Sequence, residues 1–207
     1  MISHRVAKLN DYLSPAAAGW NGATHEQVAM SATPLAMQPT DYIRQSWAQK
    51  PYGRVDTLDV ASVHDGTVWA VFLSWRGVSA AGGDFPDAVA VALPVGAESP
   101  LMTMGAPGAP LHILRWQSNR EGSRSLLAGG IGHSGPGPAL ESNARALADG
   151  DTWRVVITRP LAAAPDAAVL AAGRKARIGF AVWQGGNDER AGIKAYSQDW
   201  RDLILDP

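Results

Sequence analysis

The sequence of 207 residues predicts a mainly β protein, an antiparallel β-sandwich with a few short flanking helices. Three observations carry that expectation. Apolar and polar residues alternate with period 2 wherever a pattern is clear, Gly/Pro clusters punctuate the chain every few residues, and helical periodicity is scarce. The clearest element is a hairpin, Val55 to Val63 and Thr67 to Trp75 around His64-Asp65-Gly66, since an Asp-Gly pair between two β-rich runs favours a tight turn. Further strands are expected at Ala88 to Leu93, Leu111 to Trp116, Thr152 to Thr158 and Ala176 to Trp183. Turn-forming clusters separate them at Ala81-Gly-Gly-Asp84, Gly105-Ala-Pro-Gly-Ala-Pro110 and Gly135-Pro-Gly-Pro138. Short helices are expected at Pro165 to Ala172, which has Pro at its start and Gly173 past its end, and at Ala139 to Ala148. No charged or Ser/Pro-rich linker divides the chain, so residues 1–207 are read as one domain with one buried core.

Composition excludes several functions. Lys and Arg number 18 against 19 Asp and Glu, which leaves no basic excess for nucleic acid. Cysteine is absent, so this chain alone offers no disulfide, iron–sulfur ligation, c-type haem attachment or thiol catalysis. The N-terminal segment shows neither an apolar signal core nor twin arginines, and no uncharged run has membrane-spanning length. P-loop, Gly-x-Ser-x-Gly, zinc-binding and paired-carboxylate motifs are missing, and Asp188-Glu189 reads as solvated loop charge.

Two candidate donors stand out. Met104 follows Met102-Thr103 and opens a rigid Gly/Pro segment that lets backbone approach a flat ligand closely, and a thioether can occupy an axial position on haem iron. A Met-x-Met pair equally well fills a core gap. Lys194 equally well is a surface lysine; as a ligand it would have to be neutral, which burial and coordination both favour. Arg190 would repel its ammonium, with Asp188 and Glu189 offsetting it. His112, just after the methionine motif, is the rival ligand, and His64 lies in the hairpin turn. Trp69, Trp75, Trp116, Trp153 and Trp183 fall on expected strands, where they either build the core or form a sugar-stacking platform.

Two segments together resemble the haem b-binding gamma subunits of the ethylbenzene dehydrogenase type, which belong to the type II molybdoenzymes of the dimethylsulfoxide reductase family. The first is Met102-Thr-Met104-Gly-Ala-Pro-Gly-Ala-Pro-Leu-His-Ile-Leu-Arg-Trp116. The second is Phe180-Ala-Val-Trp183, Gly185, Asn187, Glu189-Arg190, Gly192, Lys194 and Ser197. A weaker likeness covers Leu58 to Thr67 and Thr33-Pro-Leu-Ala-Met37, while Gly122 to Leu147 is unmatched. Ile193 departs from the pattern, in which arginine or another polar residue often precedes the lysine.

The resemblance implies one non-covalent haem b with Met104 and Lys194 as axial ligands, and hence electron transfer without substrate chemistry in this chain. It further implies a heterotrimer with a molybdenum-cofactor catalytic subunit that hydroxylates a hydrocarbon C–H bond and an iron–sulfur subunit, with a soluble electron carrier as acceptor. The implied location is the periplasm, reached with a partner that bears the export signal. The rival expectations are a cofactor-free carbohydrate-binding β-sandwich module and a haem-based gas sensor in which Lys194 or His112 leaves the iron.

Overall fold

Asp65 closes the hairpin that the sequence marks most clearly. In the computed structural model, which describes residues 1–77, 84–96 and 98–207, its carboxylate accepts from the backbone N–H groups of Thr67 and Val68, each at 2.8 Å, and Gly66 takes φ +94°. The turn expected at Ala81-Gly-Gly lies outside the described residues.

The strands, in chain order, are β1 (Ile2–Arg5), β2 (His25–Ala29), β3 (Ser31–Ala32), β4 (Thr57–His64), β5 (Val68–Arg76), β6 (Ala88–Pro94) and β7 (Leu111–Gln117). They continue with β8 (Arg124–Ala128), β9 (Ser134–Pro136), β10 (Asn143–Asp149), β11 (Thr152–Pro160), β12 (Lys175–Trp183), β13 (Ala195–Tyr196) and β14 (Arg201–Leu205). The first sheet runs β10-β11-β5-β4-β1-β14-β12, with β2 also on β4. The second runs β12-β6-β7-β8-β9, extended by β13 on β12 and β3 on β13. Strand β12 belongs to both sheets, pairing β14 through Lys175 to Ile178 and β6 through Gly179 to Trp183. Pairing is antiparallel except at β1, which lies parallel to both β4 and β14.

Alternation explains the core. Trp69, Val71, Leu73 and Trp75 of β5 face Val89, Val91 and Leu93 of β6, Leu114 and Trp116 of β7, and Phe180 and Val182 of β12 in one buried cluster. Side chains two apart share a sheet face, so one register sorts each strand into an inner and an outer set. Each outer face carries its own cluster. On the first sheet it is Ala61, Val63, Ala70, Phe72 and Val156, covered by Leu9 and Trp20 of the N-terminal turns. On the second it is Ala88, Ala90, Leu111, Ile113, Ala128 and Trp183.

The helical expectations fail at both places. Ala139 to Ala148 is not a helix, since Asn143–Asp149 forms edge strand β10, paired with β11 across a turn in which Gly150 takes φ +60°. Residues 165–172 form an irregular segment in which Asp166 takes φ +59° and the Ala168 carbonyl accepts from the buried Arg159 guanidinium. The one α-helix among the described residues, α1 (Asp41–Trp47), was not anticipated; Thr40 caps it by accepting from the Ile43 N–H at 3.3 Å.

Candidate cofactor site

The outer face of the second sheet is flat because its residues are small. Ala90 and Ala92 of β6 pair with Ala181 and Gly179 of β12, so four adjacent positions carry at most a methyl group. Above this floor lies a small apolar cleft, about 80 Å³ in volume and open in part to solvent. Leu101, Leu111 and Ile113 wall one part of it, and Trp183, Met37 and Tyr196 another.

Met104 and Lys194 both line this cleft and meet there, although ninety residues separate them. The Lys194 ammonium donates to the Met104 thioether at 3.4 Å and reaches the Ala191 carbonyl at 3.5 Å. Its nitrogen also lies 5.3 Å from the Trp183 ring centroid. Burial, reinforced by the Arg115 guanidinium, lowers the Lys194 pKa from 10.5 to about 8. The repelling cation is therefore Arg115; Arg190, expected in that role, instead sits 4.3 Å over the Phe85 ring.

Local backbone holds both side chains in place. Met104 takes φ +57°, a left-handed conformation that costs a non-glycine residue about 1–2 kcal/mol. Around it the Met104 N–H donates to Leu101, the Gly105 N–H to Pro100, and the Gly130 N–H to the Met104 carbonyl at 3.0 Å. Gly105 continues at φ +84°, where a Cβ would stand 2.4 Å from the Ala128 carbonyl oxygen. Non-glycine strain maintained by surrounding contacts is common at functional sites. Lys194 is held by the Thr33 N–H, which donates to its carbonyl at 3.0 Å, and by the β3–β13 pairing next to it. Gln38 donates to the Gly192 carbonyl at 3.0 Å, which ties the Thr33 to Met37 segment to the lysine loop.

Glu189 corrects the reading of Asp188-Glu189 as solvated charge. It is buried and accepts from the Gly53 N–H at 2.8 Å, the Gln184 N–H at 3.0 Å and the Asn187 amide at 3.1 Å, thereby organising the loop that precedes Lys194. Asp188 does lie at the surface, paired with Lys50 at 2.6 Å. Ile193, the departure from the resemblance pattern, is buried.

His112 faces away from the cleft. It sits on the inner side of β7, between Ser125 Oγ at 3.0 Å and Arg159 Nη1 at 3.3 Å, and burial with the nearby Arg159 charge pushes its pKa down to about 4. His64 is fully buried at the far hairpin and accepts from the Gly66 N–H at 3.2 Å. None of the eight tryptophans is exposed, so no tryptophan stacking platform lies on the surface. Trp75, Trp116 and Trp153 instead cluster with centroids 4.9–6.4 Å apart.

The donor set fits a flat, apolar, metal-centred group. A lysine amine and a thioether converge at the edge of an apolar slot, and the small floor residues offer a flat surface for a planar ring. Zinc, as a guide, is reached at about 2.0 Å by nitrogen and about 2.3 Å by sulfur, so the 3.4 Å pair must open by roughly 1 Å to admit a metal. Both donors sit on flexible side chains. Among the described residues no group of three or more His, Cys, Asp or Glu side chains is placed to hold a metal ion.

Comparison with known proteins adds names to this geometry. No family model matches the chain. Over 121 residues it is 38% identical to the chlorate reductase subunit gamma of Ideonella dechloratans, covering 58% of this chain and 50% of that subunit. Over 201 residues it is 28% identical to a putative respiratory nitrate reductase heme subunit of Haloferax mediterranei, covering 93% of this chain and 68% of that protein. The match thus spans about half the length of the first relative and about two-thirds of the second.

Among solved structures, a family 9 carbohydrate-binding module from Caldicellulosiruptor kristjanssonii in complex with cellotriose superposes with a TM-score of 0.54 at 10% identity, over 100% of this chain and 93% of that one. A putative carbohydrate-binding protein from Bacteroides uniformis superposes with a TM-score of 0.55 at 11% identity, over 100% and 98%. At such identity these two likenesses establish the β-sandwich and nothing about ligands. The two sequence relatives are, by name, a chlorate reductase subunit and a nitrate reductase heme subunit.

Proposed function

We propose that this chain is an electron-transfer cytochrome subunit that holds one haem b in the cleft between Met104 and Lys194. The observation that carries the reading is the convergence of the Met104 thioether and the buried Lys194 amine at 3.4 Å on an apolar wall. The resemblance of both segments to haem-binding gamma subunits, and the names of the two relatives, support it.

When bound, haem supplies a one-electron redox couple. Every other element is a property of this chain. Met104 and Lys194 would be the two side chains that hold the group, a donor pair suited to electron transfer and not to substrate binding. Methionine, a weak neutral donor, favours the reduced metal and so a relatively high potential. Burial and Arg115 lower the cost of deprotonating Lys194, which must lose its proton before its lone pair can bind a metal. The apolar walls would shield much of the ring from water, and the clamped Met104 backbone places the base of a side chain whose flexible end can still move to admit a metal.

The partners in this reading are a molybdenum-cofactor catalytic subunit and an iron–sulfur subunit, in the periplasm, with a soluble carrier exchanging electrons at the haem edge. No helix among the described residues is long and apolar enough to cross a membrane. The ethylbenzene dehydrogenase type implies hydrocarbon hydroxylation by the catalytic partner, with electrons leaving through this subunit. The chlorate and nitrate reductase relatives favour a second reading in which an oxyanion is reduced and electrons enter here. Assay of the purified native complex with ethylbenzene plus acceptor, and with chlorate or nitrate plus donor, separates the two.

The ligand assignment has a direct test. Visible spectra of the native protein, oxidised and dithionite-reduced, are expected to show a low-spin b-type haem. Met104→Ala and Lys194→Ala are each expected to turn it high-spin or lose it. Low-spin spectra unchanged in both variants, or a protein that stays colourless with haem supplied, overturn the assignment.

A further inference from the structure

Arg115 is a half-buried cation that the ligand pair leaves unexplained. It lies on β7 directly opposite Ala90 of the cleft floor, so its side chain rises from the same outer face. Its guanidinium carbon sits 4.8 Å over the ring of Trp183, which lines the cleft. Its charge is also felt at Lys194, the other cation at this site. The Arg115 Nε is buried without a hydrogen-bond partner among the described residues.

The surroundings make this more than a packing accident. Arg124 is the cross-strand neighbour of Arg115 on β8, and Arg120 stands in the connecting turn. Burial and these two charges together lower the Arg115 pKa. No carboxylate of the described residues forms an ion pair with any of the three. Charges withdrawn from water in folded proteins are ordinarily paired, and the buried Nε of Arg115 lacks such a partner among the described residues. An arginine fork matches a carboxylate with two parallel N–H···O bonds, and stacking on an indole fixes the plane of that fork.

We propose that Arg115 is the carboxylate clamp of the cleft, binding an acidic substituent carried by the otherwise apolar group that lies on the alanine floor. This rests on the haem reading, in which the substituent is a propionate of the porphyrin. The clamp orients the ring by its acidic edge and neutralises a cation that otherwise faces only other cations. Arg124, exposed beside it, adds long-range attraction without direct contact.

The test uses the full chain, freed of pigment, titrated with iron protoporphyrin IX and separately with its dimethyl ester, which keeps the ring and loses both acids. Binding is read from the Soret band and the spin state. In the native protein the diacid is expected to bind roughly ten- to a hundredfold more tightly than the ester. Arg115→Met is expected to abolish that preference while leaving ester affinity and the low-spin spectrum intact, and Arg115→Lys, which keeps charge and stem, to restore part of it. Arg124→Gln should preserve the preference.

Equal weakening of both porphyrins by Arg115→Met, or a preference that survives it and Arg115→Lys alike, overturns the clamp and leaves the haem reading standing. Failure of either porphyrin to give a low-spin complex with the native protein overturns the haem reading and the clamp with it.

Discussion

The outer faces of the two sheets begin from the same problem and solve it differently. Each presents an apolar cluster away from the core and must cover it. On the first sheet Phe72 packs against Trp20, with ring centroids 5.3 Å apart, and Trp20 is tied down through its indole N–H to the carbonyls of Tyr12 and Ser14. Aromatic bulk fills that face completely. On the second sheet alanine and glycine occupy the centre, and two polar or polarisable side chains, Met104 and Lys194, arrive over the rim without filling it. A filled face stabilises the fold, whereas an underfilled one of the same architecture leaves space that a ligand could use. The likeness of the whole fold to carbohydrate-binding modules shows how little the architecture says about which ligand that is.

The comparison is broken most severely on the filled side. Phe72→Ala is expected to destabilise the protein by about 3–5 kcal/mol, because a buried ring is removed beneath Trp20 and His25. Denaturant melts measure that loss, and the haem spectrum of the folded fraction should be unchanged. A small loss would mean that Trp20 collapses into the space.

Next comes the difference between the two sides of a single strand. His112 faces the core while Leu111 and Ile113 face the cleft. Its pKa is lowered to about 4 in the folded protein, so between pH 6.5 and about 4 the unfolded chain binds the extra proton. Stability is therefore fully present above pH 6.5 and declines as pH falls to about 4, by about 3 kcal/mol from this residue. His112→Gln should flatten that acid limb in urea titrations across the range. Persistence of the limb would assign it to other groups, such as buried His64, whose pKa is also lowered by burial.

The smallest effect on stability is expected on the open side, where it teaches most. Ala92→Leu adds bulk to a floor that faces unfilled space, so unfolding free energy should change by less than about 1 kcal/mol. Haem uptake should nevertheless fall by at least tenfold, as followed at the Soret band. A variant that binds haem normally would show that the ring does not lie on this floor.

The sequence made the central hairpin and strands β6, β7, β11 and β12 legible through alternation bounded by turn residues, such as Asp65 folded over Gly66, but it read Gly135-Pro-Gly-Pro138 as a turn where β9 lies and gave no sign of β8. It misled at β10. Asn143-Ala-Arg-Ala-Leu-Ala-Asp149 is built of good helix formers, yet seven paired positions along β11 override that local preference. Strands β1 and β14 were invisible for another reason, since each is short and gains its meaning from a partner some two hundred residues away.

The site divides in the same way. Met104 and Lys194 were found through resemblance to a pattern, and nothing in their periodicity sets them apart. Arg115 and the alanine floor escaped notice because they depend on register between strands. Ala90 opposite both Ala181 and Arg115 is a property of the sheet that no single segment contains.

The parallel placement of β1 between β4 and β14 has a consequence for synthesis. The first strand waits for nearly the last before its second edge is paired, and the lysine segment, which joins β3 through β13, leaves the ribosome about ninety residues after the methionine turn. The methionine half can fold early against its own strands, but the cleft has no second wall until Lys194 and β13 have been made. Whatever occupies the cleft is therefore enclosed only after both walls have formed, so its capture belongs to the closing of the sheet and not to the first strands made.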